Sequence, residues 1–208
     1  MGAFLRRLFG RGEENRSIVV VSGLPRSGTS LMMKMLEAGG LPLLTDAIRQ
    51  ADEDNPQGYY EFERVKGLDK GDAAWLPEAQ GKAVKVISAL LRYLPATYHY
   101  RILFLERDLD EILASQRKML ARRHPEQAAQ AAEYADDDMA AVLTRHLHET
   151  RRWLENQAHM NTLYVPYREL LQNAHPQIRQ IQHFLSMPLQ TEQMLAVIDP
   201  ALYRNRQP

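Results

Sequence analysis

Ile18-Val19-Val20-Val21-Ser22-Gly23-Leu24-Pro25-Arg26-Ser27-Gly28-Thr29-Ser30-Leu31-Met32-Met33-Lys34-Met35-Leu36 decides the fold of this chain. Its apolar, β-branched start has the length and composition of a buried parallel strand. Gly23 and Gly28 then bracket a loop. From Thr29 onward, Leu31, Met32, Met35 and Leu36 recur at helical spacing. Strand, glycine loop and helix in this order are the context in which a phosphate-type loop works. Successive backbone N–H groups turn inward there, and the helix N-terminus adds partial positive charge. The loop is therefore expected to bind an anion of phosphate or sulfate type. The alternative is a plain strand-turn-helix without ligand.

The loop is not a Walker A loop, because Thr29 stands where the lysine belongs. The cation comes earlier, at Arg26, whose rigid fork of donors suits oxyanions. Pro25-Arg26-Ser27-Gly28-Thr29-Ser30 resembles the 5′-phosphosulfate loop of the sulfotransferase family. That family uses 3′-phosphoadenosine 5′-phosphosulfate (PAPS) as donor. The resemblance implies cofactor binding by Pro25, Arg26, Ser27, Gly28, Thr29 and Ser30.

Working outward, composition sets the bounds. A chain of 208 residues can bury the core of one α/β domain. Hydrophobic residues at 45% and charged residues at 25% are ordinary for a globular protein. Lys+Arg and Asp+Glu balance at 26 each, so no global field favours nucleic acid. The lack of cysteine excludes disulfides, thiolate metal sites and a cysteine nucleophile. It fits a reducing compartment, and a cytoplasmic location is expected. No apolar run reaches transmembrane length. Residues 1–16 read as a flexible leader before a domain spanning 17–208. Phe4, Leu5, Leu8 and Phe9 leave open a weak membrane-surface contact through residues 1–11.

Downstream, Gly39-Gly40 and Pro42 end the first helix. Asn55-Pro56-Gln57-Gly58 marks turns, and Tyr59-Tyr60-Glu61-Phe62-Glu63 then interleaves aromatics with carboxylates. Alternation in an extended segment places Glu61 and Glu63 on one face. The run Asn-Pro-x-Gly-Tyr-x-Glu resembles a segment that follows the first helix in bacterial sulfotransferases. It makes Glu61, or failing that Glu63, a candidate base; a solvated acidic loop is the plain reading. Residues 66–82 read as a loop or short helix. Ala83-Val84-Lys85-Val86-Ile87 reads as a second strand, and 89–94 as a helical turn. Lys85 matches a lysine that many sulfotransferases carry at this strand's end. Ile87 departs from their Lys-x-Pro, and a surface lysine is the other reading.

Arg101–Glu106 is the clearest later strand, followed by a helix over about 109–122. Ser115 falls among its inward apolar positions and needs a partner. Arg107-Asp108-x-x-Glu111-Ile112-Leu113-Ala114-Ser115 resembles the family's 3′-phosphate element. By that resemblance Arg107 and Ser115 bind the 3′-phosphate. Arg107 capped by Asp108, and Ser115 bonded to its own helix, are the plain alternatives. His124-Pro125 breaks the chain, and Asp136-Asp137-Asp138 opens a long amphipathic helix through Met139, Val142, Leu143, His146, Leu147, Thr150 and Leu154. Arg145, Arg151, Arg152 and Glu155 read as its solvent side. A strand at 161–165 and helices from Tyr167 and His175 complete a block that resembles the family's closing module. Arg204 and Arg206 in the tail either cover the nucleotide or fray.

Alternating strands and helices predict an α/β fold: a P-loop-type parallel sheet flanked by helices. The resemblance implies a PAPS-dependent sulfotransferase acting on a hydroxyl or amine of a small-molecule, carbohydrate or lipid acceptor. Arg26, Glu61, Glu63 and Lys85 are its candidate catalytic residues. Adenosine 3′,5′-bisphosphate is the expected product nucleotide, and no metal is expected. Two other classes remain. One is a nucleotide kinase or NTPase, with Glu106 and Asp108 in a Walker B-like role. The other is a non-catalytic nucleotide-binding module.

Overall fold

A computed structural model describes residues 17–46, 48, 58–123 and 136–199. The leader, the turn at Asn55-Pro56-Gln57, the break at His124-Pro125 and the two tail arginines lie outside these residues. Four strands form one sheet: β1 (Ile18–Gly23), β2 (Ala83–Lys85), β3 (Tyr100–Glu106) and β4 (Met160–Pro166). Their order is β2-β1-β3-β4, and every pairing is parallel. All six residues of β1 are buried, as a strand covered on both faces requires.

The helices are α1 (Thr29–Ala38), α2 (Leu76–Ala79), α3 (Leu109–Arg123), α4 (Asp136–Leu154), α5 (Tyr167–Gln172), α6 (Ala174–Leu185) and α7 (Thr191–Ala196). Two 3-10 segments, Glu63–Lys70 and Ser88–Tyr93, complete the described elements. Alternation along β1 sends Val19 and Val21 to one face, with Met32, Leu36, Ile178 and Ile181 of α1 and α6. Ile18 and Val20 face the other way, with Trp75, Leu91, Phe104 and Leu154. This is the predicted α/β sheet flanked by helices. Among the described residues, no helix is long and apolar enough to cross a membrane.

Several boundaries differ from expectation for identifiable reasons. β2 stops at Lys85 rather than Ile87. Val86 N–H still bonds the Val21 carbonyl at 3.0 Å, but Ile87 turns into solvent and starts the 3-10 segment. Glu63 begins a 3-10 segment instead of continuing the extended run, so it does not share a face with Glu61. The apolar stripe of α4 is buried at Thr150 and Leu154, yet Met139 and Val142 are exposed. Leu147 and Arg151 sit level with Glu106 and Tyr164, near the sheet's carboxyl edge. The preceding turns of α4 therefore extend past that edge. α7 has no counterpart in the sequence reading; its Met194 packs on Gly39 at the end of α1.

After β1 the chain crosses to β2 on one side of the sheet, and β3 returns on the other. The crevice between β1 and β3 is thus the point where strand order reverses, the usual ligand position in such sheets. Gly23 is in register with Leu105. The Arg26 loop and Arg107 consequently leave the sheet side by side.

Candidate active site

The loop after β1 turns sharply. Leu24 carbonyl accepts Ser27 N–H at 3.1 Å, and Arg26 adopts φ 75°, a left-handed conformation rare for arginine. Such a residue is held only where surrounding contacts over-determine it. Here two do. Arg107 Nη1 donates to the Arg26 carbonyl at 3.0 Å, and Arg26 Nε donates to Ser115 Oγ at 2.9 Å. Gly28, at φ 103°, precedes α1 and leaves the helix N-terminus open. A Cβ there would lie 2.3 Å from the Tyr167 ring, so this glycine is needed for close approach as well as conformation. Ser27 is buried, and its hydroxyl has no partner among the described residues.

Arg107 is fixed from three sides. Its Nε donates to Glu111 Oε2 at 2.8 Å, and this ion pair is only 9% and 6% exposed. Its guanidinium carbon stands 4.7 Å from the centre of the Tyr167 ring, a cation–π distance. Glu111, not Asp108, is therefore its acidic partner. Asp108 instead caps α3, with Oδ1 accepting Asp110 N–H at 2.9 Å and Glu111 N–H at 3.3 Å. Glu106 pairs with Arg151, which also stacks 3.9 Å over the Tyr164 ring rather than standing free in solvent. Burial pushes the Tyr167 phenol up, so it stays protonated beside the arginines.

Lys85 comes to the same loop from the opposite side. Its Nζ donates to Ser30 Oγ at 2.9 Å and to the Tyr59 carbonyl. The 59–63 segment is thereby tied to the phosphate-type loop. Tyr60, at φ 52°, anchors it on α1; burial and the hydrogen-bonded Glu37 carboxylate push its phenol up to about 12. Asp46 clamps the other end, donating its N–H to the Glu61 carbonyl at 3.2 Å and accepting Glu63 N–H at 2.5 Å. The Glu63 side chain turns outward to Lys66 at 2.8 Å, both well exposed. Glu61 is half-buried, two residues from the Tyr59 carbonyl that holds Lys85.

The predicted residues Arg26, Ser30, Lys85, Arg107 and Ser115 are thus joined by direct bonds around one loop, while Glu63 faces away. Two further residues belong to the arrangement. Glu111, four residues after Arg107 and in the first turn of α3, was legible as a nearby carboxylate of opposite charge. Tyr167 carried no such signal, because only β3–β4 pairing brings it under Gly28.

The sulfotransferase domain family matches residues 16–207. Sulfotransferase STF1 from Mycobacterium tuberculosis H37Rv superposes with TM-score 0.58 at 17% identity, covering 94% of this chain and 74% of that one. The sulfotransferase domain of the Synechococcus PCC 7002 olefin synthase gives TM-score 0.54 at 14% identity, covering 92% and 88%. Identities this low establish the shared fold alone. No curated protein matches the sequence. The family match spans the sheet, the loop after β1 and the Arg107–Ser115 element, and this chain belongs to the sulfotransferase domain family.

Proposed function

We propose that this protein transfers a sulfuryl group from PAPS to a hydroxyl or amine of a small-molecule, carbohydrate or lipid acceptor. The observation that carries the reading is the closure of Arg26, Ser115 and Arg107 into one donor cluster at the β1/β3 crevice. The cluster offers guanidinium, hydroxyl and backbone N–H donors, and Glu111 is already committed to Arg107. That donor set fits a nucleotide with two separate phosphate groups. PAPS supplies the sulfuryl group. The acceptor heteroatom bonds to sulfur as the bond from sulfur to the 5′-phosphate oxygen breaks.

Residues 25–30 would hold the phosphosulfate, with Arg26 and the α1 N-terminus stabilising charge on the leaving phosphate. Arg107 and Ser115 would hold the 3′-phosphate. Lys85 lies against Ser30, where it would face the transferring group. Glu61 takes the acceptor proton in this scheme, because Glu63 is engaged with Lys66. The scheme requires no metal, and adenosine 3′,5′-bisphosphate is its product nucleotide.

A thermal-shift comparison tests the reading. Adenosine 3′,5′-bisphosphate should raise the melting temperature well beyond AMP, since only the bisphosphate engages both phosphate sites. A ligand at a hundred times its dissociation constant adds about 2.7 kcal/mol. Equal shifts would remove the 3′-phosphate assignment. A larger shift with magnesium-ATP would move the protein to the kinase class. Bisphosphate binding without transfer to any of a broad acceptor panel would make it a binding module.

A further inference from the structure

A cavity of about 420 Å³ opens between α3, α4 and the carboxyl ends of β3 and β4. Leu24, Phe104, Ile112, Leu147 and Tyr164 give it an apolar body. Its polar lining is Glu106, Arg107, His148, Arg151 and Arg152, with one carboxylate against three arginines. Phe104 and Tyr164 belong to the sheet face opposite α1. The cavity nevertheless meets the nucleotide side at Leu24 and Arg107.

The three arginines are not equivalent. Arg107 is committed to Glu111, and Arg151 to Glu106 and the Tyr164 ring. Arg152 has no ion-pair partner among the described residues. The Tyr164 hydroxyl, buried beneath Arg151, also lacks a hydrogen-bond partner among them. A buried hydroxyl left without a partner is costly, and an arriving acceptor atom removes that cost. An apolar chamber with surplus guanidinium charge and an unmet donor suits a compact ligand carrying an anion.

We propose that this cavity holds the acid end of the acceptor and so selects a hydroxy acid: an apolar body whose carboxylate is bound by Arg151 and Arg152, with its hydroxyl directed out past Leu24 toward the loop after β1. The proposal rests on the sulfotransferase reading for the word acceptor, while the anion preference of the cavity stands apart from it. The carboxylate does not react; only the hydroxyl does. Glu106 competes with the bound anion for Arg151, which restrains affinity for simple anions.

The test is calorimetric titration of matched pairs, with and without adenosine 3′,5′-bisphosphate. The pairs are 4-hydroxyphenylacetate with its amide, and 3-hydroxybutyrate with its amide. At least one acid should bind about tenfold or more tightly than its amide, as expected for a charge-assisted contact. Arg152→Gln should remove most of that preference and leave the bisphosphate thermal shift unchanged. Glu106→Gln should strengthen acid binding severalfold without changing amide binding. These opposite effects distinguish a charge-selective site from general damage. No acid binding at millimolar concentration, equal binding within both pairs, or preference retained in Arg152→Gln would overturn the proposal. Absence of a bisphosphate shift alongside intact acid preference would instead overturn the sulfotransferase reading and leave an anion-selective cavity.

Discussion

Arg26 Nε donates to Ser115 Oγ at 2.9 Å across 89 positions of sequence. This bond ties the loop after β1 to the helix after β3. It also gives the buried Ser115 hydroxyl its partner, so Ser115 is not simply bonded back to its own helix. Ser115→Ala should weaken adenosine 3′,5′-bisphosphate binding while leaving the melting temperature nearly unchanged, because Arg26 keeps access to water. A fall in melting temperature with unaltered affinity would assign Ser115 to structure alone.

Arg26→Ala removes the guanidinium that the proposed function assigns to the phosphosulfate. Donor binding or transfer should fall about ten- to a hundredfold, matching roughly 1.5–3 kcal/mol for a charge-assisted contact. Arg26→Lys should retain part of the function as a point charge. Arg26→Gly relieves the left-handed strain and should melt no lower than the parent while losing the site. Full donor affinity in Arg26→Ala would return the loop to a purely structural role.

Gly28→Ala places a methyl 2.3 Å from the Tyr167 ring at a φ of 103°. Overpacking of this kind costs about 1–3 kcal/mol. Chemical denaturation should show that loss, and bisphosphate affinity should fall with it. In Tyr167→Ala the same substitution should be less damaging, and a double-mutant cycle measures the coupling. Additive effects would mean that the ring and the loop do not press on one another.

Glu61→Gln should bind bisphosphate normally and lose at least about a hundredfold in turnover, within the range for a general base. Glu63→Gln, which breaks only an exposed pair with Lys66, should turn over almost normally. The reverse pattern would move the base by two residues. Near-normal turnover in both would direct attention to Lys85, whose Nζ lies against Ser30 Oγ.

Acid should destabilise the fold through histidine. His146 lies 2.8 Å from Ser88 Oγ, and burial, with help from Arg92, holds its pKa below the ordinary 6.5. His159 is lowered for the same leading reason. The unfolded chain therefore binds protons that the native state refuses, and stability falls as pH drops below about 6.5. His146→Gln should flatten this slope in melting curves and leave the His159 share. An unchanged slope would show that His146 titrates freely in the native state.

Local chemistry alone determined much of this protein. The buried strand, glycine loop and helix at 18–36 were legible because apolar periodicity and turn residues act between neighbours in sequence. The helix α3 that carries Ser115 and the long α4 were legible for the same reason. Other features waited for the tertiary structure. Sheet order sets β3 beside β1 and β4 beyond it, and only then does Tyr167 lie under Gly28 and Arg107. The choice of Glu111 over Asp108 was decided by a cap, since Asp108 is spent on the first N–H groups of α3. Glu61 and Glu63 looked equivalent as alternating residues. Asp46 and the 3-10 turn it helps begin separate them, because a carboxylate seventeen positions away captures Glu63 N–H and turns its side chain toward Lys66. Such contacts depend on the geometry of distant segments, which no local pattern encodes.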